Sequence, residues 1–191
     1  MEKLKKMNVL LASKSPRRQY LLKELGLNFE VKTKDVDESF PEHLQAQEIA
    51  LYLCEKKANA FDEELTENTI VITADTIVWV DNQVLNKPEN YEDAVRMLKL
   101  LSGKKHEVYT GVCLKSVSKI KTFYAKTDVY FKTLTEQEIN YYITNYNPYD
   151  KAGAYGAQEW IGYIAVEKII GSYFNVMGLP VKELYEELME F

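Results

Sequence analysis

Between the apolar run Val9 to Ala12 and the first helical pattern stands Ser13-Lys14-Ser15-Pro16-Arg17-Arg18, two hydroxyls and two guanidiniums within six residues. Ser15 has the chemistry of an N-cap. Pro16 suits the first helical position, where a missing N–H costs nothing. The unpaired N–H groups and dipole of such a helix end attract anions, and Arg17 and Arg18 add fixed positive charge. The stretch reads as a phosphate seat or as an ordinary capped helix with surface arginines. Asp35-Val36-Asp37-Glu38 sets three carboxylates in four residues, which suits a hard divalent cation or a merely solvated loop. Lys57 continues the apolar stripe Ala46, Ala50 and Leu53; it either snorkels from the edge of the core or turns its ammonium to an anion. Asp75 stands in the middle of the most apolar run, Thr69 to Val80. A buried carboxylate needs a partner, a hydrogen bond or a metal, so Asp75 is the leading candidate for chemistry. Lys87, extended ahead of Pro88, supplies a further cation.

Basic groups suit a polyphosphate, and carboxylates without histidine or cysteine partners suit Mg²⁺ or Mn²⁺. Water attack on a phosphoanhydride needs a charge-neutralising cation, a base for the water and cationic clamps. No Ser–His or Cys–His nucleophile pair is evident in the sequence. The residues alone therefore point to a metal-dependent enzyme acting on a phosphate ester or anhydride.

The elements that must position these groups follow from periodicity. A strand is expected over 7–12, a helix over 16–25 closed by Gly26, and a half-buried strand over 28–33. A long helix is expected over 43–61, then a buried strand over 69–80, continuous or kinked at Ala74-Asp75-Thr76. A helix over 91–101 precedes an antiparallel pair, 106–114 and 121–131. Thr135-Glu136-Gln137-Glu138 is a capping box for a helix reaching Asn145. Asp150 to Gln158 is rich in small residues, which suits close approach to a ligand or a tight connection. It matches neither a Walker A loop nor a dinucleotide fingerprint. A strand over 163–169 and an amphipathic helix over 180–189 close the chain.

At 191 residues the chain suits one domain of two lobes, and its 46% hydrophobic content is that of a globular protein. A net charge of −5 argues against a general nucleic-acid partner. Cys54 and Cys113, in apolar settings, read as buried thiols of a reduced, cytoplasmic protein. Met1 to Lys6 is charged without the apolar run of a leader, and no stretch approaches a ~20-residue membrane span. The oligomeric state is open, a homodimer included.

Taken in order, Leu11 to Arg18, Ala74-Asp75-Thr76, Lys87-Pro88, Ser102-Gly103 with His106, Asp150 to Gly156 and Val176 to Pro180 resemble the Maf family. The resemblance implies a nucleoside triphosphate pyrophosphatase that cleaves between the α- and β-phosphates with a divalent cation, Mg²⁺ or Mn²⁺. It implies a mixed α/β fold similar to the inosine triphosphate pyrophosphatases, an elongated mixed sheet flanked by helices in two lobes around a cleft. It also implies links to inhibition of septum formation and to nucleotide-pool clearing. By it, Asp75 is the proton acceptor and, with Glu38, a metal carboxylate. Ser13, Arg18, Lys57 and Lys87 hold phosphates, and Arg17, Thr76 and Gln158 set specificity. The branch acting on 7-methylguanosine triphosphate reads Ser-Pro-Trp-Arg, Ser-Asp-Gln and Ser-Glu where this chain reads Ser-Pro-Arg-Arg, Ala-Asp-Thr and Ala-Gln, so the chain resembles the dTTP/UTP branch. Asn86 and Glu159-Trp160-Ile161-Gly162 depart from the family pattern. Two alternatives stand beside this expectation: a non-catalytic nucleotide-binding regulator of septum formation, and a pyrophosphatase for another triphosphate.

Overall fold

The computed structural model describes residues 7–191; Met1 to Lys6, considered above as a leader, lie outside the described residues. In chain order the elements are β1 (Asn8–Leu11), α1 (Pro16–Glu24), β2 (Glu30–Val31), α2 (Gln47–Asn59), β3 (Thr69–Val80), β4 (Gln83–Leu85), α3 (Tyr91–Leu101), β5 (Lys105–Lys115), β6 (Ile120–Phe131), α4 (Glu136–Tyr146), α5 (Trp160–Ala165), β7 (Val166–Ile170), α6 (Tyr173–Met177) and α7 (Val181–Glu190). The strands hydrogen-bond in the order β2-β1-β3-β5-β6-β7, with β4 on β3. β1 runs parallel to β2 and β3, whereas β3–β4 and β6–β7 are antiparallel. This is the mixed α/β fold expected. No described helix is long and apolar enough to cross a membrane.

The chain forms two compact units. The first comprises the described residues up to Asp75 with Thr110–Ala125 and Gly178–Phe191; the second comprises Thr76–Tyr109 and Lys126–Met177. In the first, α2 lies unusually close to β5. A Cβ built on Gly111 would stand 2.5 Å from both the carbonyl carbon and oxygen of Ala50, so only glycine permits this approach. Ala50, Leu53, Cys54 and Ala58 form the buried side of α2, and Cys54 packs with Ala58 and Cys113 as a free thiol. Burial pushes both thiols up, Cys113 to about 12, so both are inert.

The second unit has its own core, built from Val78 and Val80 of β3, Leu98 and Leu101 of α3, Phe131 of β6, and Tyr142 and Ile143 of α4. The capping box of α4 forms as expected: Glu138 N–H donates to Thr135 Oγ1 (3.2 Å), and Thr135 N–H donates to Glu138 Oε2 (2.8 Å).

Three expected boundaries shift. The strand expected over 28–33 contracts to Glu30–Val31, both exposed, because β1 offers pairing only through Leu10 and Leu11. The second helix begins at Gln47 rather than His43, because Ala46 takes φ 47°, outside helical space. The strand expected from Tyr163 begins at Val166; Ile161 and Ala165, buried at i,i+4 spacing, make Trp160–Ala165 a helix instead.

Gly111→Ala should push α2 off the sheet and lower stability by about 1–3 kcal/mol, the usual penalty of overpacking. Urea unfolding of the full chain checks this.

Candidate active site

The site in the first unit is built outward from β3. Residues 69–75 of this strand are all buried, so its polar side chains must find partners inside the protein. Thr73 donates its hydroxyl to the Cys54 carbonyl of α2 (2.6 Å). Two residues along the same strand face is Asp75, and three residues along α2 from Cys54 is Lys57. The hydroxyl bond therefore docks strand on helix one step before the ion pair, in which Lys57 Nζ donates to Asp75 Oδ1. Lys57 also lies 2.9 Å from Glu38 Oε1. One ammonium thus faces two carboxylates drawn from a loop and a strand. The Asp75 and Lys57 side chains are only 12% and 17% exposed, so their attraction is weakly screened by water. Lys57 thus spends its ammonium on two protein carboxylates.

The acidic loop divides. Asp35 pairs with Lys14 (2.7 Å) and Asp37 with Lys56 (3.1 Å). The Ser39 hydroxyl, with its backbone N–H and Lys56, lowers the Asp37 carboxyl to about 2. Glu38 alone of the three meets Lys57.

The Ser13–Arg18 stretch folds as its residue types dictate. Ser15 caps α1 by accepting from the Arg18 N–H, and Pro16 opens the helix. Ser13 is buried; its Oγ accepts from the Ser15 N–H (3.2 Å) and its carbonyl from Gln19 Nε2 (3.2 Å). Arg18 donates Nε to the Gly178 carbonyl and Nη1 to the Ala74 carbonyl, both at 2.8 Å. The guanidinium therefore braces the peptide immediately before Asp75. Burial pulls the Arg18 pKa below its ordinary value, the Asp75 charge opposes that, and neighbouring Arg17 adds to it. The carbonyls of Ala74 and Gly178 carry no side-chain signature, and sequence reasoning missed them as Arg18 partners.

Ser13, Arg17, Arg18, Glu38, Lys57 and Asp75 belong to the first unit, whereas Thr76, Lys87 and Gln158 belong to the second. Lys87 is exposed, in a loop anchored by Gly153 N–H donating to the Asn86 carbonyl (3.1 Å). The small residues after Asp150 serve that connection. Gly153 has φ 68°, and a Cβ there would lie 2.9 Å from Val78 Cγ2. Beyond it Tyr155 is buried, its hydroxyl 2.7 Å from His106 Nε2. Lys151, by contrast, is an internal cation between Asp150 (2.6 Å) and Glu159 (3.0 Å).

Glu38 and Asp75, both hard oxygen donors, converge on the Lys57 ammonium. No cluster of three or more His, Cys, Asp or Glu able to hold a metal forms among the described residues. That donor set fits Mg²⁺ or a similar ion, which commonly takes one or two protein carboxylates and completes its shell with water and substrate phosphates.

Residues 8–191 match the family described as Maf-like protein, and the chain belongs to that family. It is 54% identical over 187 residues to a dTTP/UTP pyrophosphatase of Flavobacterium johnsoniae, covering 98% of this chain and 96% of that one. It is 50% identical over 192 residues to a protein of the same description from Parabacteroides distasonis, covering all of both. Among solved structures, the Staphylococcus aureus Ham1 protein superposes with a TM-score of 0.50 at 15% identity, over 94% of this chain and 99% of that one, a likeness of fold.

Arg18→Ala would leave two carbonyls without their N–H donors and should cost about 1–3 kcal/mol. Arg18→Lys should recover only part of that loss, because an ammonium cannot fork between two carbonyls. Denaturant unfolding of both variants checks the order.

Proposed function

We propose that this protein is a nucleoside triphosphate pyrophosphatase acting on dTTP and UTP, releasing the nucleoside monophosphate and pyrophosphate. The observation that carries the reading is the Asp75 carboxylate, buried on β3 yet paired by Lys57 beside Glu38. Support comes from relatives described as dTTP/UTP pyrophosphatases at 50–54% identity over nearly the whole chain. Because the family match spans residues 8–191, we take the two compact units as lobes of a single Maf-like domain.

In this reading Asp75 accepts the proton of the attacking water. The ion pair and the braced preceding peptide hold that carboxylate in place, and a base acts only from a fixed position within hydrogen-bond reach of the proton it takes. Lys57 compensates charge that the dry surroundings would otherwise leave exposed. Ser13, the N-terminus of α1, Arg18 and Lys87 hold phosphate oxygens. Arg17, Thr76 and Gln158 read the rest of the nucleotide. Glu38 and Asp75 would hold a divalent cation, Mg²⁺ or Mn²⁺, which when bound neutralises developing charge on the phosphates.

Incubation with dTTP or UTP and Mg²⁺ should yield pyrophosphate and the monophosphate. Orthophosphate as the direct product, or tight binding without turnover, contradicts the reading. Asp75→Asn, which keeps the shape but removes the base, should cut kcat by ~10²–10⁴-fold; an unchanged kcat takes Asp75 out of the chemistry.

A further inference from the structure

Lys151 is a buried cation for which the chemistry above has no task. It is 7% exposed, and the segment around it packs into the core of the second unit. A buried charge persists only when paired, and Lys151 is paired by Asp150 Oδ1 (2.6 Å) and Glu159 Oε1 (3.0 Å). The other oxygen of Glu159 accepts a hydrogen bond from the Tyr142 hydroxyl. That hydroxyl accepts in turn from the Gly156 N–H at 3.0 Å. Lysine, carboxylate, phenol and peptide thus tie both sides of the turn at residues 156–159 to α4.

Gln158 sits inside this turn. A Cβ built on Gly156 would fall 2.9 Å from Gln158 Nε2 and 3.1 Å from Glu159 Oε2, so the amide and the carboxylate both lie over the bare backbone of Gly156. The Gln158 carbonyl accepts from the Tyr163 hydroxyl (3.2 Å). The turn is pressed onto α5 so closely that a Cβ on Gly162 would stand 1.9 Å from the Ala157 oxygen. The backbone that carries Gln158 is therefore set by packing, and its amide lies beside the Glu159 carboxylate over Gly156.

A glutamine amide donates from one side and accepts from the other, and turning it by 180° exchanges the two. Uracil and thymine share a carbonyl at C4 and an N–H at N3; cytosine presents an amine at C4 and a bare N3. An amide held in one orientation distinguishes these edges, whereas one that turns freely accommodates both. We propose that Lys151, Glu159 and Tyr142 are positioning residues that hold the Gln158 amide in one orientation and so set discrimination for uracil and thymine over cytosine. This rests on the reading of Gln158 as a specificity residue given under Proposed function. The lock acts on recognition and leaves Asp75 untouched, so its loss should appear in KM rather than kcat.

The experiment is steady-state pyrophosphate release from UTP and CTP with Mg²⁺, on the full chain and on Glu159→Gln, Tyr142→Phe and Gln158→Ala, with melting temperatures alongside. Tyr142→Phe removes only a hydroxyl and Glu159→Gln only a charge. Each should raise KM for UTP by ~5–10-fold, the worth of about one oriented hydrogen bond, keep kcat within about twofold, and narrow the UTP-to-CTP ratio of kcat/KM. Gln158→Ala should narrow it at least as far. If Gln158→Ala narrows the ratio while Glu159→Gln and Tyr142→Phe keep the wild-type KM and ratio, the positioning role is overturned and the Gln158 reading stands. A fall in kcat or melting temperature at unchanged KM and ratio marks a merely structural contact and overturns it equally. If Gln158→Ala leaves the ratio intact, the reading of Gln158 falls and the positioning role with it. Absence of pyrophosphate from the wild-type protein removes the function itself, and the proposal with it.

Discussion

A carboxylate in the middle of a buried strand is the constraint on which the first unit depends. Asp75 can stay on β3 only because a lysine is carried to it. That delivery depends on how closely a helix sits on a sheet. Gly111 has no side chain, so the backbone of Ala50 presses against β5. Thr73 then anchors the Cys54 carbonyl, and Lys57 follows on the same side of α2. Arg18 fixes the peptide before Asp75 from the other direction. A glycine, a threonine and an arginine set where Asp75 stands.

The same physics appears twice with different outcomes. Lys57 and Lys151 each face two carboxylates, and in each case one of the two is much more exposed than the other. The partners of Lys57 come from a loop and a strand, so its cluster gathers charge where a triphosphate and a cation are proposed to bind. The partners of Lys151 are its chain neighbour Asp150 and Glu159 of the same segment, so its cluster stiffens one turn. A buried ion pair adds little net stability compared with apolar packing, and its best-attested use is to specify one arrangement among several.

Much of this was legible from residue types. The N-cap and proline of α1, the capping box of α4, the alternation of β5 and β6 and the apolar run of β3 are local signals, and local signals survive folding. Asp75 stands out because a carboxylate in an apolar run demands a partner, but no local signal names Lys57 as that partner. What local reasoning could not reach was anything decided by another part of the chain. Whether Asp37 or Glu38 would turn to Lys57 depends on Ser39 and Lys56. The partners of Arg18 are backbone carbonyls with no signature of their own. The strand expected from Tyr163 starts only at Val166, because Ile161 and Ala165 fit a helical face. Glu159 reads in the sequence as a departure from a family pattern; in the fold its two oxygens are shared between Lys151 and Tyr142.

Lys57 and Asp75 are energetically one unit. A double-mutant cycle on stability, with Lys57→Met, Asp75→Asn and the two combined, measures it directly by urea unfolding. The ion pair predicts that Lys57→Met is costly alone, because it strands a buried carboxylate, and that Asp75→Asn relieves much of that cost, giving a coupling of at least ~1 kcal/mol. Additive losses, with coupling near zero, would contradict it.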